Sequence, residues 1–286
     1  MNYQYFFTIF LCCYLCTSIC ANDALYESLD PTSISEHLAF FELYSDTPAG
    51  KRALEDTWKL ITKSKTSLQD ENLPPLSFPE SIDAFIQLIQ PSEKKAKNFE
   101  ISPEALQVLE MAASHLPNRS LKGYKVQTHE ELLKLQPDEI DVASALFLLE
   151  FGTDEMAKQK RGTYEASIDL IALQVLARAP MDASCTQKIA AINELIFFEM
   201  GFRFPPHSTY SDSIDLFTFL PTVLEERRGV CLGVSTLYLA IAQRVGLPLE
   251  IVTPPGHIFL RYKEGEGSEE INIETTMRGV HIHSDE

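Results

Sequence analysis

The stretch CLGVSTLYLAIAQRV, residues 231–245, limits the fold more than any other part of this sequence. Its apolar residues continue around a helix instead of following one stripe, so a helix here has almost no polar face. Such a helix is stable only when other elements pack against nearly all of its sides. A small-residue turn containing Gly229 precedes Cys231. We therefore expect a buried central helix that begins at or next to Cys231.

Helical patterns precede this central helix, and strand patterns follow it. Between residues 33 and 200, apolar residues recur at helical spacing behind Ser or Pro start signals. Examples are SISEHLAFFEL with a Ser33 cap, FPESIDAFIQLIQP at 78–91 and SPEALQVLEMAASHL at 102–116. Later come three runs rich in branched residues, LEIVT, HIFLRY and EINIET, the last two joined by the glycine-rich KEGEGSEE. The pattern predicts an α+β fold with a mainly helical N-terminal part and a small antiparallel sheet.

The charge balance restricts the class of partner. The chain has 24 Lys and Arg against 41 Asp and Glu, a formal net charge of −17. Because phosphate is repelled by such a surface, we expect no nucleic-acid binding. The basic run KQKRG at 158–162 is short and sits among acidic residues, so it does not change this expectation.

The N-terminal segment is typical of a secretory signal peptide. Residues 1–21 contain an apolar run followed by small residues, and polar sequence begins afterwards. Cleavage after Cys20 or Ala21 would give an exported protein, periplasmic or secreted, with no stable membrane association. Because no Lys or Arg precedes the apolar run, an uncleaved membrane anchor is the alternative.

Cysteine usage gives two interpretations of Cys231. Four of the six cysteines lie in the N-terminal segment, which leaves Cys185 and Cys231 in the mature chain. In an exported protein these two could form a disulfide, or Cys231 could be a buried apolar side chain. The other interpretation is chemical. The N–H groups and the dipole at a helix start stabilise a thiolate and could also bind the oxyanion of an acyl intermediate.

A thiolate nucleophile needs a base, and His257 lies 26 residues after Cys231. We expect His257 to begin a strand on the face that it shares with Phe259 and Arg261. In the last strand run, Asn272 and Glu274 alternate with Ile271 and Ile273. Either polar side chain could reach the imidazole from the neighbouring strand, or both could lie on an ordinary exposed face.

These segments together resemble the core of the transglutaminase-like superfamily. The resemblance rests on GVCLGVSTLYLAIAQRVGLPLEIV for the Cys-led helix, PGHIFLRY for the histidine strand and INIETT for the strand with the acidic residue. The segments LPTVLEERRGVCLG and AAINELIFFEMGFRF are similar to those of SirB-type bacterial transglutaminase-like proteins. The resemblance implies a papain-like fold and a catalytic triad of Cys231, His257 and an acidic residue. Glu274 stands where the family usually has Asp, and Asn272 is the substitute.

Three regions and one leading function follow from these observations. The regions are a signal peptide at 1–21, a helical region of unknown role at 22–137 and a SirB-type transglutaminase-like domain at 138–286. The expected function is cysteine-dependent acyl transfer on amide bonds of a protein or peptide substrate, as a peptidase, amidase or transglutaminase. This chemistry needs no metal and no organic cofactor. The alternative function is a non-catalytic scaffold of the same fold that binds a partner protein.

Overall fold

The computed structural model describes residues 22–62, 101–206, 210–265 and 270–281. These residues form two compact units, one within residues 1–63 and one within residues 64–286. The helix expected at 78–91 and the N-terminal segment lie outside the described residues. The expected boundary between residues 137 and 138 stays a prediction.

Helices dominate the described part of the chain. In chain order they are α1 Ile34–Tyr44, α2 Pro48–Thr62, α3 Pro103–Ala113, α4 His129–Leu132, α5 Val142–Phe151, α6 Glu155–Arg178, α7 Cys185–Asn193, α8 Leu220–Glu226 and α9 Cys231–Arg244. The strands are β1 Glu250–Val252, β2 Phe259–Lys263, β3 Glu270–Glu274 and β4 Val280–His281. Short 3-10 turns lie at Pro117–Ser120, Lys122–Lys125, Pro137–Glu139, Ser211–Thr218 and Thr275–Met277. The expected α+β fold is confirmed.

Helices α1 and α2 form the first unit. The hydroxyl of Ser33 accepts a hydrogen bond from the Glu36 N–H, which confirms the helix start expected at this serine. Phe40 of α1 is buried together with Ala49 and Ala53 of α2. The two helices thus form a helical hairpin with its own small apolar core.

Helix α9 is the buried centre of the second unit. Its side chains at Leu237, Tyr238 and Ile241 are fully buried, which confirms the expected central helix. It packs against α5, α6 and α8 on its helical side and against β2 on its other side. The first two residues are less buried, since Cys231 is partly exposed and 39% of the surface of Leu232 is exposed. The start of the helix therefore lies at the protein surface while the remainder is enclosed.

The four strands form one antiparallel sheet in the order β1-β2-β3-β4. Leu260 of β2 pairs with Ile273 of β3, and both side chains are fully buried. These apolar residues direct one face of the sheet towards the core. β4, which pairs with β3, was not expected from the sequence.

One helical segment departs from regular geometry. The chain from Cys185 was expected to continue as an α-helix, but α7 gives way to a π-helical segment at Glu194–Glu199. Wider turns of this kind change the direction in which side chains project. No helix of the described residues is long and apolar enough to cross a membrane.

Candidate active site

Cys231 is the first residue of α9, and the preceding chain fixes this start. Helix α8 is terminated by Arg227, the residue after Glu226, whose backbone adopts a left-handed conformation with φ of 51°. The Val230 N–H then donates to the carbonyl oxygen of Phe217 at 3.1 Å. The first helical hydrogen bond runs from the Val234 N–H to the Val230 oxygen at 3.0 Å. The N–H groups of residues 231–233 thus precede the helical ladder and point out of the helix start.

Two glycines allow this helix start to pack closely against the preceding segment. A Cβ at Gly233 would lie 2.1 Å from the Phe217 oxygen, and a Cβ at Gly229 would lie 2.7 Å from Cγ2 of Val234. Neither position has room for a larger residue. The two glycines of GVCLG therefore allow the start of α9 to pack closely against the segment around Phe217.

Both cysteines of the described chain are free and partly exposed. The structure therefore has no disulfide between Cys185 and Cys231, which was one interpretation of the sequence. Because Leu232 beside it is also exposed, the sulfur of Cys231 lies in a region that solvent can reach.

His257 lies in a turn and not in a strand, which corrects the expectation from the sequence. β2 begins only at Phe259. The His257 N–H donates to the carbonyl oxygen of Pro254 at 3.1 Å, and Gly256 has a φ of 79°. This turn through the Pro-Pro-Gly run delays the start of the ladder. The imidazole is thus carried on a tight turn at the end of the sheet, with 39% of its side chain exposed.

The partner of His257 is Glu274, the last residue of β3. One carboxylate oxygen of Glu274 is in hydrogen-bond contact with Nε2 of His257. The other oxygen accepts from the Thr276 N–H at 3.0 Å and from the Thr276 hydroxyl at 2.5 Å. Only 3% of the Glu274 side chain is exposed, and both of its carboxylate oxygens are hydrogen-bonded. A carboxylate fixed in this way can orient an imidazole and stabilise its protonated form.

Asn272, the other residue considered for this role, has a different partner. Its amide oxygen accepts a hydrogen bond from Nε of Arg261 at 2.8 Å. Asn272 and Glu274 are both buried, with 4% and 3% of their surface exposed. They therefore do not belong to an ordinary exposed strand face. The structure places the carboxylate, and not the amide, against His257.

A buried hydrogen bond connects the His257–Glu274 pair to the helix that carries Cys231. The hydroxyls of Ser235 and Thr275 lie 2.9 Å apart, and both residues are buried. Ser235 is one turn after Cys231 on the same face of α9, which puts their Cβ atoms about 5–6 Å apart. Thr275 directly follows Glu274. The Ser235–Thr275 hydrogen bond thus holds the turn after Glu274 against the face of α9 that bears Cys231.

A second link holds the turn that follows Glu274. The amide nitrogen of Asn193 donates to the Gly279 carbonyl oxygen at 3.2 Å, and its oxygen accepts from the Tyr238 hydroxyl at 3.0 Å. A Cβ at Gly279 would lie 2.2 Å from the Asn193 oxygen. Asn193 therefore joins α7, α9 and the β3–β4 turn in one place.

The sequence indicated the three chemical groups but not these supports. Ser235 and Thr275 are separated by 40 residues, and Asn193 lies 86 residues before Gly279. The only local signal was the Thr-Thr pair after Glu274, since Thr side chains often cap a preceding acidic residue. Among the described residues, no group of His, Cys, Asp and Glu side chains could hold a metal ion.

Comparison with known proteins gives a family match for the C-terminal part of the chain. Residues 162–286 match the family model described as Transglutaminase-like superfamily. The match covers less than half of the chain, and within residues 162–286 it agrees with the superfamily expected from the sequence.

Curated relatives match only part of the chain. F-box only protein 21 of Mus musculus is 31% identical over 88 residues, which is 31% of this chain and 14% of that protein. The human F-box only protein 21 matches to the same extent. A UPF0162 protein of Xylella fastidiosa is 31% identical over 80 residues, 28% of this chain and 27% of that protein. The matches thus cover less than a third of these relatives, and no solved structure matches the chain significantly.

Proposed function

We propose that this protein is a cysteine-dependent acyl-transfer enzyme that acts on amide bonds of a protein or peptide. Cys231 is the nucleophile, His257 the general base and acid, and Glu274 the residue that orients His257. The proposal depends on one observation above all. Glu274 contacts His257 and is attached through Thr275 and Ser235 to the helix face that carries Cys231.

The reaction follows from the chemistry of these groups. His257 takes the thiol proton, and the sulfur attacks the amide carbonyl carbon, so a C–S bond forms and the carbonyl electrons move to oxygen. N–H groups at the start of α9 are placed to donate to that oxygen. When the oxyanion collapses, the C–N bond breaks and the imidazolium gives its proton to the departing amine.

The resulting thioester is resolved in a second half-reaction. Water or another amine attacks the acyl carbon while His257 accepts its proton, and the C–S bond breaks. The sulfur leaves as a thiolate and is reprotonated by His257. Hydrolysis defines a peptidase or amidase, and attack by an amine defines a transglutaminase. Glu274 stays ionised throughout and stabilises the imidazolium.

We also propose a SirB-type subfamily and export from the cell. The subfamily is supported by the two upstream segments LPTVLEERRGVCLG and AAINELIFFEMGFRF, and export by the apolar residues 1–21. N-terminal sequencing of the protein recovered from each cell fraction tests export. A mature chain starting near residue 22 outside the cytoplasm is the expected result, and an intact Met1 in the cytoplasm contradicts it.

Intact-mass spectrometry with two assays tests the catalytic proposal. One assay follows cleavage of a peptide library, and the other follows incorporation of a labelled primary amine into casein. We expect activity in one of them and a hydroxylamine-sensitive acyl adduct on Cys231. Cys231→Ala should abolish both, and His257→Gln should lower the rate about 10²–10⁴-fold. Cys185→Ser serves as the matched control and should remain active. Activity that survives C231A, or a wild type inert in both assays and toward acyl probes, favours the scaffold.

A further inference from the structure

A concave site lies at the opposite end of α9 from Cys231. It is a cavity of about 450 Å³, within the range typical of small-molecule sites. Its walls come from α3, α5, α6 and the segment around residues 119–127. Asp169 in its wall pairs with Arg244, the last residue of α9. Because α9 rises 1.5 Å per residue, the cavity end and the cysteine end are roughly 20 Å apart.

The cavity gathers positive charge on a strongly acidic protein. Arg119, Lys125, Lys158 and Arg161 line it, against Glu110, Glu165 and Asp169. Lys158 and Arg161 belong to the run KQKRG, which lies in the first part of α6. On a chain of net charge −17, four basic side chains around one cavity are a local reversal of sign.

Two of the three carboxylates in the wall, Asp169 and Glu165, are already engaged by other protein groups. Asp169 accepts from Nε of Arg244 at 2.7 Å and also contacts Nη2 of Arg119. Glu165 accepts from the Ser144 hydroxyl at 2.6 Å and contacts Nη2 of Arg244. Arg244 is fully buried and does not line the cavity. Glu165 and Asp169 therefore share the buried Arg244, and Asp169 also pairs with Nη2 of Arg119, which leaves Lys125, Lys158 and Arg161 as the cavity cations without an acidic partner among the described residues.

Several cationic groups, in contrast, have no acidic partner. Within the described residues, Lys125, Lys158 and Arg161 form no ion pair. Arg161 is 9% exposed, and its one hydrogen bond runs from Nη2 to the Gln127 side chain at 3.1 Å. Nη1 of Arg119 is buried and has no hydrogen-bond partner in the described part of the chain. A buried guanidinium with an unused donor is costly unless a ligand satisfies it.

We propose that this cavity binds a small organic molecule bearing a carboxylate or phosphate group. Arg161 and Arg119 supply forked donors that match such oxyanions, and Lys125 and Lys158 at the exposed rim add positive charge. The apolar side chains of Leu106, Val126 and Ala166 also line the cavity. An anion with an apolar portion therefore fits better than a bare inorganic ion. The site is independent of the proposed catalytic role of Cys231.

The test measures binding of three simple anions to the full-length protein. Phenyl phosphate, benzoate and inorganic phosphate are titrated by calorimetry and thermal unfolding at constant ionic strength, with potassium chloride as the reference. Lys158→Gln and Arg161→Gln are the test variants. Lys160→Gln is the matched control because it removes the same charge from the same helix, and Lys160 lies over the Phe151 ring instead of in the cavity. Circular dichroism establishes that each variant is folded.

We expect at least one anion to bind saturably with a dissociation constant below about 1 mM. K158Q and R161Q should each weaken binding at least about tenfold, K160Q should leave it unchanged, and C231A should bind as the wild type. The proposal is overturned if none of the three anions binds saturably. It is also overturned if binding survives both test substitutions, or if K160Q weakens it as much as K158Q.

Discussion

The hydroxyl groups of Ser235 and Thr275 lie 2.9 Å apart in the buried contact between α9 and the turn after β3. Ser235 shares a helix face with Cys231, and Thr275 follows the residue that contacts His257. One hydrogen bond between two small side chains thus joins the cysteine helix to the histidine–carboxylate pair. The relative placement of the three proposed catalytic groups depends on it.

Removing both of these hydroxyls should cost less than the sum of the two single removals. Ser235→Ala or Thr275→Val leaves the partner hydroxyl buried and unpaired, which should lower the free energy of unfolding by about 1–3 kcal/mol. The double variant should lose less than the sum, with a coupling of about 0.5–3 kcal/mol. Urea unfolding of the four proteins measures this. Strict additivity would show that the two hydroxyls do not interact.

Substitution of Glu274 should release the histidine ring. Nε2 of His257 faces the carboxylate, so the neutral ring should carry its proton on Nε2. Two-bond ¹H–¹⁵N correlation spectra at mildly alkaline pH report this tautomer. In Glu274→Gln the charge is lost, and we expect a mixture of tautomers. An unchanged single tautomer in the variant would contradict the proposed role of Glu274.

Adding one methyl group at Gly233 should destabilise the start of α9. A Cβ there would lie 2.1 Å from the Phe217 oxygen, so Gly233→Ala should cost about 1–3 kcal/mol or more of unfolding free energy. Gly162→Ala within α6 is the matched control, because its nearest neighbour is Cδ1 of Leu106 at 4.0 Å. That change should stabilise the helix by about 0.5–1 kcal/mol. Equal effects in thermal unfolding would refute the close packing inferred at Gly233.

The local features of this fold could be predicted from the sequence. Helix starts at Ser33 and Cys231 are set by residues next to them, and the apolar character of α9 required its burial. The three strand runs and the order Cys, His, Glu were also visible. These signals act over a few residues, so they do not depend on how distant segments pack.

What could not be predicted depends on contacts between distant segments. The burial of Glu274, its choice over Asn272 and the Ser235–Thr275 link arise when β3 packs against α9. The turn at His257 replaces a strand because the Pro-Pro-Gly run closes on itself before the ladder begins. In the sequence the basic run at 158–162 is short and sits among acidic residues, and only folding brings Lys158 and Arg161 beside Arg119 to line a cavity.

The network around Arg244 should make stability fall as pH rises through the weakly acidic range. Burial raises the pKa of Glu165 to about 7, although Arg244 acts in the opposite direction. The folded state therefore binds a proton between pH 4.5, the ordinary value, and about pH 7 that the unfolded state releases. Glu165 therefore adds to the free energy of unfolding below this pH range. As the pH rises through the range, that contribution is lost by about 1 kcal/mol per pH unit.

Glu165→Gln isolates this contribution, because its side chain does not titrate. The difference in unfolding free energy between the wild type and E165Q should decrease from pH 5 to pH 7 and then stay level. Chemical unfolding at a series of pH values measures the difference. A constant or rising difference would show that Glu165 does not titrate in this range.

The most direct test of the catalytic account is the rate at which iodoacetamide alkylates each cysteine between pH 6 and pH 7 under reducing conditions. Peptide mass spectrometry follows Cys231 and Cys185 in the same sample, so the second thiol is an internal control. If His257 acts as a base on the thiol of Cys231, Cys231 should react at least about tenfold faster than Cys185, and H257Q should remove most of that advantage. Equal, slow alkylation of both cysteines, unchanged in H257Q, would contradict the account.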